Sequence, residues 1–141
     1  LWDAKKEGLS LIVDSAYRSY DYQMLIFNDR VKKLGYDEAK KFVALPGASE
    51  HQTGLCIDIA YYYDGKFNDN VKDRDKEVKW LMDNCYKYGF ILRYPKGKED
   101  ITGYEYESWH YRYVGIEVAT YIYKNNITCR IFLHSCQYIW R

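Results

Sequence analysis

Ser49-Glu50-His51-Gln52-Thr53-Gly54-Leu55-Cys56-Ile57-Asp58-Ile59-Ala60-Tyr61-Tyr62-Tyr63 holds the transition around which this chain is organised. A polar loop ends at Gly54, and Leu55 to Tyr63 reads as a strand interrupted by one carboxylate, Asp58. Asp64-Gly65 follows, a tight-turn signal that returns the chain beside the strand it has just left. A charge inside an apolar strand is costly unless it is paired or bound to a metal. A lone Asp there is more often salt-bridged to an arginine. His51, seven residues upstream, favours a metal, because a loop entering a strand can bring both positions to one ion.

The flanking sequence supplies helices and further strands. Upstream, Leu9 to Val13 is a short apolar run expected to form a strand, and Ser15-Ala16-Tyr17-Arg18-Ser19 is a hydroxyl-rich turn. Met24, Phe27, Val31 and Leu34 then recur at helical spacing over Tyr20 to Leu34, with Ser19 as N-cap and Gly35 as stop. A second short helix is expected from Asp37 to about Val43, before Pro46-Gly47. Downstream, Asp75 to Tyr88 puts Val78, Leu81, Met82 and Cys85 on one helical face and closes at Gly89. Phe90 to Tyr94 is an expected strand, Pro95-Lys96-Gly97-Lys98 a turn, Tyr104 to Val114 a second strand and Ile116 to Lys124 a helix. No GxGxxG or Walker pattern occurs. The pattern predicts one α+β domain with a mainly antiparallel central sheet flanked by helices.

Composition narrows the function classes. The 141 residues suffice for one core, and 48% hydrophobic content argues against disorder. No apolar run is long enough to cross a bilayer. A net charge of +1 gives no reason to expect nucleic acid as partner. The 17 tyrosines suit a groove for a partly polar, partly apolar ligand, although strand propensity explains many of them equally well. Cys56, Cys85, Cys129 and Cys136 show no CxxC spacing; buried free thiols are expected for most, and two disulfides are open to an exported protein. The chain starts at Leu1 without initiator methionine or signal peptide, so a missing N-terminal region, with room for a membrane anchor, is expected. The domain is assigned to residues 1–127, and residues 128–141 form an atypical tail with no clear period.

Two of the three histidines lie beside acidic residues, His51 near Asp58 and His110 in Glu107-Ser108-Trp109-His110. Two imidazoles and one carboxylate make a three-ligand zinc site with an open fourth position for water. Glu107, three residues before His110, is placed to move protons from that water. Cys56 shares the strand face of Asp58 and is read as a small packing residue beside the site. Arg18, in a turn between strand and helix, offers a two-pronged guanidinium to a carboxylate or developing oxyanion; a structural ion pair is the plainer alternative.

These stretches, with Tyr22-Gln23, Tyr88-Gly89-Phe90-Ile91-Leu92-Arg93-Tyr94-Pro95 and Glu107-Ser108-Trp109-His110-Tyr111-Arg112-Tyr113-Val114-Gly115, resemble the VanY-type D-alanyl-D-alanine carboxypeptidases and the related LdcB L,D-carboxypeptidases. The match runs in order from about Ser15 to Gly115. The resemblance implies a Hedgehog/D-Ala-D-Ala peptidase-like fold and a zinc peptidase acting on peptidoglycan stem peptides in the bacterial envelope, outside the membrane. It makes His51, Asp58 and His110 the Zn2+ ligands, Glu107 the base and Arg18 the holder of a substrate carboxylate or oxyanion. Gln23 and Ser49 then line the substrate site. Ala16 stands where a glycine is usual, and the tail departs from the family's ending. A monomer is expected. Two rival readings are an endopeptidase on the same scaffold and a non-catalytic wall-binding module with structural zinc; the second leaves Glu107 without a role.

Overall fold

Alternation along one strand sorts the molecule into a packed side and a reactive side. The computed structural model describes residues 1–63, 65–69 and 75–136. In chain order the elements are α1 (Trp2–Lys6), β1 (Leu11–Ser15), α2 (Tyr20–Leu34), α3 (Tyr36–Phe42), β2 (Cys56–Tyr63), β3 (Lys66–Asn68) and α4 (Lys76–Asn84). They continue with β4 (Phe90–Leu92), α5 (Glu99–Thr102), β5 (His110–Tyr113), α6 (Ile116–Asn125) and α7 (Cys129–Cys136). Short 3-10 turns cover Glu50–Thr53 and Cys85–Tyr88. The sheet runs β1-β2-β5-β4 with every pairing antiparallel, and β3 pairs with the end of β2.

Ile57, Ile59 and Tyr61 point to one face of β2, and Tyr111 of β5 lies opposite Ile57. That face packs on Val78, Leu81 and Cys85 from α4 and its following turn, and on Ala4, Leu9 and Leu11 from the N-terminal segment. Cys56 and Asp58 point to the other face, where the register sets Cys56 opposite Arg112 and Asp58 opposite His110. Ser15 pairs with Asp58 from the opposite edge, after an irregularity in β1. One carboxylate is thereby flanked by side chains from both neighbouring strands.

The expected elements form, with four shifts of detail. Ser19 caps α2 by accepting from the Tyr22 amide, and the helix ends at Gly35. β1 starts later than the apolar run, because Leu9 belongs to the core beside Ala4 rather than to the ladder. The expected strand Tyr104 to Val114 is corrected to His110–Tyr113, and Phe90 to Tyr94 to Phe90–Leu92. In the first of these the Glu107 amide donates to the Tyr94 carbonyl at 3.1 Å, which pins a loop rather than a ladder. The helix expected to Tyr88 becomes α4 plus a 3-10 turn, closed at Gly89 as expected. Asp64 of the expected turn, like residues 137–141, lies outside the described residues, whereas Tyr63 and Lys66 on either side are paired. The segment after Thr128 that showed no period contains α7, which packs Cys129 and Phe132 against a second core of Ile91, Ala119 and Ile122. All four cysteines are free thiols; Cys56 and Cys85 are buried and Cys129 and Cys136 are half-buried.

Candidate metal centre

His51 reaches the site from the 3-10 turn before β2, Asp58 from β2 and His110 from β5. All three are buried, at 3%, 8% and 5% exposure. His51 Nε2 lies 3.1 Å from Asp58 Oδ2, and His110 Nδ1 lies 2.9 Å from Asp58 Oδ1. The opposite ring nitrogens are engaged elsewhere. His51 Nδ1 donates to the Ala16 carbonyl at 2.6 Å, and His110 Nε2 faces Glu50 Oε2 at 3.5 Å. Each imidazole therefore turns its other nitrogen toward the carboxylate. Ligands on zinc bonds of about 2.0–2.1 Å sit roughly 3.3 Å apart in a tetrahedron, close to these separations. The donor types and both histidine–aspartate separations fit a zinc ion.

Asp58 dominates the electrostatics. Burial alone would raise its carboxyl, yet hydrogen bonds from His110 and His51 hold it well below the usual carboxylate range. Burial disfavours the charged imidazoles, but Asp58 outweighs it and lifts His51 to about 9 and His110 to about 11. Arg18 Nη2 also donates to Asp58 Oδ2 at 2.7 Å, and its Nε to Ser15 Oγ at 3.0 Å. Both readings of Arg18 meet here: it forms an ion pair, and the partner is the candidate ligand itself. The Arg18 amide donates to the His51 carbonyl at 3.2 Å, tying its loop to the histidine turn.

Glu107 Oε2 stands 3.9 Å from His110 Nδ1, on the side of that ring facing Asp58. Burial raises its carboxyl to about 7, with Asp58 adding to the shift and His110, His51 and Arg18 opposing it. A group that titrates near neutrality suits proton transfer in both directions.

These side chains open on a cleft of about 250 Å³ that Arg18, Gln23, Ser49 and Glu107 also line. Gln23 is 1% exposed; its Nε2 donates to the Ala44 carbonyl at 2.9 Å, and its buried Oε1 has no hydrogen-bond partner among the described residues. Ser49 lies at the start of the histidine turn, 7% exposed. All seven singled-out residues, Arg18, Gln23, Ser49, His51, Asp58, Glu107 and His110, meet at this cleft.

Sequence reading missed Glu50. Its Oε1 accepts from Arg93 Nε at 2.7 Å and lies 3.5 Å from Arg112 Nη1, while Oε2 faces His110. Burial would raise this carboxyl, but His110 and the two arginines win and hold it at about 2. Such a carboxylate behind a histidine fixes the ring's tautomer and orientation. Only its place beside His51 could have hinted at this. Tyr94 was missed too; its ring lies against His110 with centroids 5.1 Å apart. Cys56, expected as packing only, brings its sulfur within 4.8 Å of ring nitrogens of His51 and His110.

Fold and site together describe a small α+β domain built around a buried His-Asp-His cluster on a cleft. Comparison with known proteins gives the family. The VanY family pattern, described as D-alanyl-D-alanine carboxypeptidase, matches residues 1–116, and the chain belongs to this family. It is 49% identical over 136 residues to the YodJ protein of Bacillus subtilis (strain 168), covering 96% of this chain and 50% of that protein. It is similar to the LdcB LD-carboxypeptidase structure, at 50% identity and TM-score 0.84, over 94% of this chain and 62% of that one. It is also similar to a VanB-type vancomycin-resistance D,D-pentapeptidase VanY in complex with Zn(II), at 37% identity and TM-score 0.82, over 93% and 75% of the two chains. The chain thus spans about half the length of the curated relative described here.

Proposed function

We propose that the protein is a zinc carboxypeptidase that removes the terminal D-alanine from peptidoglycan stem peptides outside the bacterial membrane. The observation that carries this reading is the meeting of His51 Nε2, both Asp58 oxygens and His110 Nδ1 at one point of a cleft that Glu107 also lines. His51, Asp58 and His110 would hold the ion. Zinc held this way supplies a Lewis acid and a water acidic enough to ionise near neutral pH.

The chain's own groups do the rest. Glu107 accepts a proton from the attacking water at a carboxylate oxygen and returns it to the leaving amine. Arg18, on the cleft wall, offers its guanidinium to the substrate's terminal carboxylate or to the oxyanion of the tetrahedral intermediate. Gln23, buried on the cleft wall, offers its amide to the peptide groups of a ligand. Ser49 and Gln23 border the same cleft. LD- and D,D-specific relatives both resemble this chain, so the reading covers both specificities.

Incubation of the zinc-loaded protein with defined tetrapeptide and pentapeptide stems, followed by mass spectrometry, tests the proposal. Loss of one alanine from a free-acid stem is expected. Cleavage inside the peptide, or equal cleavage of C-terminally amidated stems, would replace it with an endopeptidase. Zinc binding without any hydrolysis would replace it with a wall-binding module.

A further inference from the structure

Cys56 is a buried thiol beside the site to which the proposed chemistry gives no task. It lies two residues before Asp58 on the same face of β2 and is 2% exposed. Its sulfur and one ring nitrogen from each of His51 and His110 all lie within 4.8 Å of one another. Both histidines and Asp58 line the cleft, whereas Cys56 does not. The sulfur therefore approaches the cluster from the floor, on the side away from the opening. Zinc readily combines imidazole with thiolate ligands, and zinc expands to five-coordination when a further donor arrives.

We propose that Cys56 is a further ligand to the divalent metal, joining His51, Asp58 and His110 from the floor of the site and leaving the cleft side open. This rests on the metal reading above and adds a donor to it. On binding, the thiol S–H bond breaks, the proton leaves to solvent and the sulfur lone pair forms the bond to the metal, with no change of oxidation state. Zinc–sulfur bonds of about 2.3 Å place sulfur and nitrogen donors roughly 3.6 Å apart, so the cluster needs to close by at most about 1 Å. The added thiolate makes the centre select thiophilic ions over magnesium and calcium, which take oxygen donors. Its negative charge also weakens the ion as a Lewis acid, so retention of metal is gained against acidity.

The test uses the whole chain, stripped with a chelator and titrated with Co2+. The wild-type protein should show a near-ultraviolet sulfur-to-cobalt charge-transfer band besides the visible d–d bands. Cys56→Ser and Cys56→Ala should lose the charge-transfer band and keep the d–d bands, and both should hold Zn2+ at least about 10-fold more weakly in chelator competition. Cadmium NMR of the wild-type protein, which needs no variant, should place the ion's shift in the sulfur-ligated range. Cobalt or cadmium bound without a sulfur signature, or with one that survives loss of Cys56, overturns the role of Cys56 and leaves the three-ligand centre standing. Failure to bind either ion overturns both.

Discussion

Glu50→Gln should weaken the metal centre although Glu50 is not among the proposed ligands. The substitution keeps shape and an acceptor for Arg93 Nε, now 2.7 Å from Oε1, but removes the charge that faces His110 Nε2. Losing a carboxylate behind a ligating histidine typically costs 10–100-fold in metal affinity, about 1.4–2.7 kcal/mol. Stability should fall as well. Burial opposes the Glu50 charge, yet hydrogen bonds from His110 and Arg93 hold its carboxyl at about 2 against an ordinary 4.5, which corresponds to about 3 kcal/mol. A depressed carboxyl contributes fully above its unfolded value and loses that contribution as pH falls through its folded value. The stability gap between wild type and Glu50→Gln should therefore be widest above pH 4.5 and close toward pH 2. Glu50→Ala, which strands Arg93 and Arg112 without a counter-charge, should cost about 3–5 kcal/mol at neutral pH. Zinc competition against a chelator, with urea unfolding at several pH values, measures both effects. Unchanged zinc affinity with a stability gap that ignores pH would refute the argument, because neither His110 nor the arginines would then depend on the carboxylate.

Glu107→Gln should keep metal and fold and lose on the order of 100- to 10,000-fold in hydrolysis; near-normal turnover would mean another group is the base. Arg18→Lys should lower kcat/KM by about 10–100-fold, since an ammonium cannot hold Asp58 and Ser15 in the planar fork seen here; a mild effect, with amidated stems cleaved as readily as free acids, would end the carboxylate-clamp reading. Asp58 raises both His51 and His110 above the ordinary imidazole value, and ligation requires both rings neutral. Metal binding at neutral pH should then release protons from these rings, and more if Cys56 joins, read by calorimetry in buffers of different ionisation enthalpy; release of none would contradict the Asp58 pairing. Gly89→Ala should cost about 2–5 kcal/mol in urea unfolding, because φ is +82° and a Cβ would meet Tyr113 at 2.7 Å and the Gly115 backbone at 3.1 Å. Gly8→Ala, at φ +78° but with open space, is the control and should cost only about 1–2 kcal/mol.

Legibility of the fold followed the physics of each element. α2 was legible to the residue because its ends are set locally, by the Ser19 cap and by Gly35. β5 was over-extended because Tyr104 and Tyr106, and then Trp109, Tyr111 and Tyr113, alternate in a strand-like way, yet Glu107 and Tyr94 join through one loop hydrogen bond rather than a ladder. α7 was illegible because its apolar residues face a core contributed by α6 and β4, and an eight-residue helix shows too few turns for a period to stand out. A short helix's partner is tertiary information.

The candidate site divides in the same way, and Asp58 shows where the line falls. That Asp58 needs a partner follows from its place in an apolar strand, and that His51 and His110 could serve follows from their scarcity. What one dimension cannot supply is the register that sets His110 opposite Asp58 and Ser15 opposite Asp58 from the other edge. Shifting β5 by one residue would send His110 into the core and bring Tyr111 to the cleft. The same register puts Arg112 opposite Cys56, and Glu50 closes the group by meeting Arg93, Arg112 and His110 at once. Glu50 read alone is an ordinary surface charge before a histidine. Its meaning comes from two guanidiniums that arrive 43 and 62 residues later, beside the back of the ring it faces. The proposed ligands were therefore readable as chemistry, whereas the groups that aim them are readable only once the sheet is paired.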